Sequence, residues 1–171
     1  MIEPGNHGTL EPAYSYRNLG LWQQAQDFAE MVVRLANGLP SNRSTDAMAR
    51  QLVRSATSIA ANIAKGHGRF GFASYRNHLS IAKGSACETD SWLDLLRRLA
   101  LISPEQEAEL HTRCSRLIAA LTRRIKDLER AASKTVREAR VAYEAPDELE
   151  ERPDDNGSKV PWFDGSEGDL P

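Results

Sequence analysis

At 171 residues with a net charge of −2, the chain has room for one domain with tails. Its two cysteines, Cys87 and Cys114, fall on predicted helices in apolar surroundings, which points to reduced, buried thiols in a cytoplasmic protein and not to a disulfide framework. Residues 1–15 are polar and bear Pro and Gly, unlike a signal peptide, and no apolar run approaches the roughly 18 residues of a membrane span.

No segment sustains strand alternation, so an all-α fold is expected: a four-helix bundle over residues 16–132. A flexible segment (1–15) precedes it and an acidic, disordered tail (144–171) follows. Helix 1 is predicted from about Asn18 to Gly38. Trp22, Ala25, Ala29, Val32, Ala36 and Leu39 recur at the bundle period, and Gly38 with Pro40 ends the pattern. Leu21, Phe28 and Leu35 make a second stripe.

Helix 2 carries Met48, Leu52, Ala56, Ile59 and Ile63 on one face, with Arg50, Arg54 and Lys65 towards the other. Thr45 or Ser44 is the expected N-cap and Gly66 the expected stop. Helix 3, about Ala73 to Leu101, again has two stripes. One runs from Tyr75 and Leu79 to Leu96 and Ala100; the other holds Ile81, Ser85, Trp92, Leu95 and Leu99. A helix in one small bundle needs a single apolar face. The second stripes therefore predict burial against another copy, through Leu21, Phe28, Leu35, Ile81, Trp92, Leu95 and Leu99; the alternative is a two-layer bundle that buries a wide arc.

Helix 4 has the clearest start. Ser103-Pro104-Glu105-Gln106 places Ser at the cap, Pro at the first helical position and Gln three after the cap. Leu110, Cys114, Leu117, Leu121, Ile125 and Leu128 follow. The pattern continues through Ala132, Val136, Ala139 and Tyr143, so the helix has scope to project beyond the bundle until Pro146. Residues 144–171 hold 10 acidic residues against Arg152 and Lys159, too polar to offset the entropy of ordering. Val160-Pro161-Trp162-Phe163 is an apolar island there, either a docking motif or incidental.

The order and spacing of several short motifs resemble the bacterial four helix bundle protein family, first noted as reading frames within intervening sequences of 23S ribosomal RNA genes. Leu19-Gly20-Leu21-Trp22-Gln23 with Ala25 carry the resemblance, as do Gln51-Leu52 with Arg54 and Ser58-Ile59 before Asn62-Ile63-Ala64, Gly66 and Arg69. Ile81-Ala82, Gly84-Ser85, Glu88 and Leu101-Ile102-Ser103 extend it, so that it covers Tyr16 to Leu128. The family's Asn-Ile-Ala-Glu-Gly has Lys65 in place of Glu here. The resemblance implies an antiparallel left-handed four-helix bundle that assembles as a homopentameric barrel. A related branch, the accessory variability determinant of diversity-generating retroelements, is similar in fold, binds nucleic acid and partners a reverse transcriptase.

Catalytic and cofactor motifs are weak. Gly66-His67-Gly68-Arg69-Phe70-Gly71 spells G-x-G-x-x-G but follows a helix, so it lacks the dinucleotide-binding context. The histidines (His7, His67, His78, His111) form no ligand set. His111 and Cys114, one turn apart, have no further ligands beside them, so no metal and no cofactor is expected. Glu88 reads as a buried structural partner of an arginine such as Arg54, and Asn62 as a hydrogen-bonding structural residue. No Ser/His/Asp set is evident, and a non-enzymatic role follows.

Charge supplies the positive signal. Residues 14–132 hold 17 Lys and Arg against 11 Asp and Glu, a net +6, whereas residues 144–171 carry −8. Arg113, Arg116, Arg123 and Arg130 share a side of helix 4, while Arg124 and Lys126 broaden the positive surface elsewhere on that helix. The bland reading is a salt-bridged face through Glu109 and Asp127. The sharper reading is a phosphate-contacting surface formed by Arg50, Arg54, Lys65, Arg69, Arg113, Arg116, Arg123, Arg124, Lys126 and Arg130, whose field a ring of copies would multiply. The expected function is an oligomeric scaffold for RNA or DNA, with a reverse transcriptase as the partner implied by the related branch. The alternative is a protein-binding adaptor working through its acidic tail.

Overall fold

The computed structural model describes residues 15–69 and 71–144. After a 3-10 turn at Tyr16–Asn18 come α1 (Gly20–Asn37), α2 (Arg43–His67), α3 (Phe72–Arg98) and α4 (Pro104–Glu144), with no strand among the described residues. The chain divides into two compact units, Met1–Lys134 and Thr135–Pro171. The first holds the bundle core. In the second, helical residues reach Glu144, as the Val136–Ala139–Tyr143 spacing predicts, and Val136 is 69% exposed. The expected N-terminal and acidic-tail segments, with the Trp162–Phe163 island, lie outside the described residues.

Each helix buries the stripe its sequence marks. Ala25, Phe28 and Val32 of α1 meet Leu52, Ala56, Ile59 and Ile63 of α2, then Leu79, Ala82, Leu93 and Leu96 of α3 and Leu110, Cys114, Leu117 and Leu121 of α4. Side-chain pairs fix the topology. Ser58 meets Ser85 and Ser55 meets Thr89, so α2 and α3 are antiparallel. Arg76 lies 3.8 Å from Glu129 and Cys114 bonds Ala86, so α3 and α4 are antiparallel too. Neighbours therefore run α1–α2–α3–α4, and α1 and α4 flank common clefts.

The ends of the helices follow local chemistry. The Ser103 capping box forms as expected: Gln106 N donates to Ser103 Oγ (3.2 Å) and Ser103 N to Gln106 Oε1 (2.9 Å). Gly38 caps α1. The N-cap of α2 is neither Thr45 nor Ser44 but Asn42, whose Oδ1 accepts from both of their amides (3.0 and 3.1 Å). Nor does Gly66 stop α2, which continues to His67 with Gly68 as C-cap. Gly66 is instead a packing residue. A Cβ there would lie 2.7 Å from Tyr75 Cδ2 and 2.9 Å from His78 Cβ, so only glycine lets α3 approach. α3 ends before Leu101 because Ala100 takes a left-handed φ of 53°. The bonds Leu101 N→Leu96 O and Ala100 N→Arg97 O make a Schellman motif, with alanine where glycine is usual.

A polar ladder lines the α2–α3 interface. Thr89 Oγ1 lies 2.9 Å from Ser55 Oγ, and Ser85 Oγ donates to Ser58 Oγ at 3.0 Å. Asn62 Nδ2 donates to Ser58 O and Oγ, and His78 Nδ1 stands 3.4 Å from Asn62 Oδ1. Asn62 thus has the structural role expected of it. Among the described residues no buried side-chain polar atom lacks a partner, which is what permits hydroxyls in a core.

Three further expectations fail on burial. Phe28 is 1% exposed inside its own bundle, so it cannot belong to an oligomer interface. Cys87 is exposed; only Cys114 is buried. Glu88 is exposed too, with no ion pair to Arg54 or any other described residue, because its side of α3 faces out.

Candidate functional site

The ten basic candidates are all exposed, but they do not form one surface. Arg50, Arg54, Lys65 and Arg69 lie on α2 or just beyond its end, on the helix diagonal to α4. Of the α4 group, Arg113, Arg116, Arg123 and Arg124 border clefts shared with α1. Along this seam lies a cleft of about 530 Å³, lined by Leu19, Gly20, Leu21 and Gln24 from the start of α1, Tyr75 of α3, and Arg116, Ala120, Arg123, Arg124 and Asp127 of α4. Arg113 and Arg116 also border a neighbouring cleft of about 210 Å³ with Gln24 and Asp27. A third, of about 350 Å³, lies further along beside Arg34 and Glu109.

Helical spacing produces this convergence. Arg116 lies two turns before the adjacent pair Arg123 and Arg124, and the three flank the buried positions Leu117 and Leu121 that hold α4 against the core. Their neighbours decide which charges are available. Arg113 lies 3.5 Å from Glu109, and Arg130 lies 3.7 Å from Asp127. Arg116, Arg123 and Arg124 have no carboxylate within ion-pair distance among the described residues. Arg124 instead stacks over Tyr75, its guanidinium carbon 5.8 Å from the ring centroid. The salt-bridged reading thus holds at both ends of the row and not at its centre. Lys126 is exposed on the same helix but does not line the cleft.

The apolar candidates divide similarly. Ile81 (45%), Leu95 (37%) and Leu99 (51%) are exposed on α3. Leu21, Leu35 and Trp92 are half-buried and pack against the core, leaving only part of each for a partner.

One cluster was not foreseen from sequence. Asp90 Oδ1 lies 2.7 Å from His111 Nδ1, and Ser115 Oγ lies 3.5 Å from His111 Nε2. The Asp, His and Ser order resembles a hydrolytic triad. The setting opposes that chemistry: Ser115 lies within the long helix α4, where backbone amides are committed to helical bonds and supply no oxyanion donors. The His–Asp pair joins α3 to α4. Only the 111/115 spacing was visible in sequence; Asp90 arrives through the fold. Cys114 beside it is buried. Burial pushes its thiol pKa up to about 12, and Sγ donates to Ala86 O at 3.2 Å. Among the described residues no group of three His, Cys, Asp or Glu can hold a metal, and no helix is long and apolar enough to cross a membrane.

Comparison with known proteins adds identity to this geometry. The chain is similar over 62% of its length to a crystal structure from Bacteroides thetaiotaomicron, a protein of unknown function in the S23 ribosomal protein family. The match has 32% identity, covers 98% of that chain and gives a TM-score of 0.59. No curated protein matches. The model of the 23S rRNA-intervening sequence protein family matches residues 17–123. That span takes in most of the bundle, from the turn before α1 through the arginine row to Arg123, and the chain belongs to this family.

Proposed function

We propose that the protein is a non-enzymatic scaffold that binds nucleic acid through the α1–α4 face, with several copies assembled to multiply its charge. The observation that carries this reading is the convergence of Arg116, Arg123 and Arg124 on one cleft without carboxylate partners among the described residues. Unneutralised guanidinium groups on a rigid helix fit a polyanion, whose bound counterions they displace. The family name carries 23S rRNA, which makes RNA the first polyanion to test. The exposed Ile81, Leu95 and Leu99 on α3 supply an apolar surface for assembly away from that cleft.

Filter binding of labelled RNA between 50 and 200 mM salt, combined with native mass spectrometry, tests both parts. Binding that weakens by about tenfold or more over this range, by an assembly of several copies, is the expected outcome. A monomer that does not bind RNA at low salt contradicts the proposal. A monomer that does bind leaves the face and removes the assembly.

A further inference from the structure

The large α1–α4 cleft is more than a basic surface. Phosphate attraction alone needs only exposed cations, as on α2. Here the cations rim a cleft with an apolar side formed by Leu19, Leu21, Ala120 and the ring of Tyr75. Its volume, about 530 Å³, lies within the roughly 300–1,000 Å³ range of clefts that enclose small ligands. Arg124 over Tyr75 adds a flat, cationic platform at the edge. The one acidic group in the lining, Asp127, lies 3.7 Å from Arg130. Two chemistries therefore meet within one side-chain length: anion binding, and contact with a flat apolar body.

We infer that this cleft takes an unpaired nucleotide, with the base against Tyr75, Leu21 and Ala120 and the flanking phosphates on Arg116 and Arg123. The inference rests on the nucleic-acid reading of the same face and specifies its substrate as single-stranded RNA or DNA. A duplex keeps its bases stacked inside and offers the cleft only phosphates. A single strand offers both parts, because any base has a π-face that can stack on an aromatic or guanidinium plane. Contact through the face of the base is indifferent to sequence, so selectivity for strandedness without selectivity for sequence is the expected signature.

The test compares a single-stranded RNA with a duplex of equal total charge, measured on the full chain by fluorescence anisotropy at 100 mM salt. The wild-type protein is expected to favour the single strand by roughly fivefold or more. The variant Ala120→Leu narrows the cleft while retaining every arginine. It should lower single-strand affinity to the duplex level and leave duplex affinity unchanged. Ala120→Val, the smaller addition at the same half-buried position, serves if Ala120→Leu fails to fold, and should shift the ratio in the same direction. Equal wild-type affinity for the two forms overturns the inference and leaves the nucleic-acid reading intact, as does a preference that survives a folded narrowing variant. Absence of binding to either form removes the underlying reading itself.

Discussion

The α2–α3 and α1–α4 seams of this bundle are built from different materials. Between α2 and α3 lie Gly66, Ser55, Ser58, Ala82, Ser85, Ala86 and Thr89, small side chains that let the helices close until hydroxyls meet at 2.9 and 3.0 Å. Between α1 and α4 the lining side chains are long, with arginines and a glutamine, and clefts of about 530, 350 and 210 Å³ run along the seam. Tight packing leaves no room for a ligand, and a splayed, charged seam contributes less packing. One side of the bundle thus closes tightly on itself, and the other leaves open clefts rimmed by arginines.

The largest expected effect on the fold comes from closing the gap that Gly66 leaves. Gly66→Ala places a methyl 2.7 Å from Tyr75 Cδ2 and 2.9 Å from His78 Cβ, contacts that force α3 away. Denaturant unfolding should show a loss of about 1–3 kcal/mol, the usual cost of overpacking. An unchanged midpoint would mean that this close approach is not what holds α2 and α3 together.

Much of the architecture is legible in the chain because it depends on local signals. The 3.6-residue stripes of Leu52–Ile63 and Leu110–Leu128 give helices and core positions together. Ser103-Pro104-Gln106 announces a capping box that forms with both bonds. Misreadings occur where a third dimension decides. Gly66 follows an apolar stripe and resembles a terminator, yet its role comes from Tyr75 and His78 on another helix. The cap of α2 is Asn42, three residues before Thr45, because its side-chain carbonyl reaches the amides of Ser44 and Thr45. Phe28 belongs to a second stripe on the helical wheel, but a bundle buries a wide arc and encloses it. In the candidate site, the row of α4 arginines is visible in sequence. Its apolar side is not, because Leu19, Leu21 and Tyr75 come from two other helices.

A smaller effect separates the two cysteines. Cys87 is exposed and should react with a thiol reagent at pH 8 in the native protein, whereas Cys114 should react only after unfolding. Cys114's thiol pKa is raised from 9.0 to about 12, chiefly by burial. The folded state thus favours the protonated form. The corresponding stability is fully present below about pH 9 and lost as pH rises towards about 12. Native labelling at one site and denatured labelling at two, with stability declining above pH 9, is the expected result. Two reactive thiols in the native state would contradict the burial of α4.

The contrast between the arginine groups tests the central claim most directly. Salt-dependent RNA affinity should be measured for the wild-type protein, for Arg116→Glu/Arg123→Glu on α4 and for Arg50→Glu/Arg54→Glu on α2, all exposed positions. The α4 pair should lose at least about tenfold in affinity, and its log–log salt slope should flatten by about 1.4, for two single-strand phosphate contacts at about 0.7 each. The α2 pair should remain within about twofold of wild type, because reversing charges remote from the bound strand leaves its phosphate contacts in place. Equal losses from both pairs, or a loss confined to α2, would contradict the assignment of recognition to the α1–α4 face.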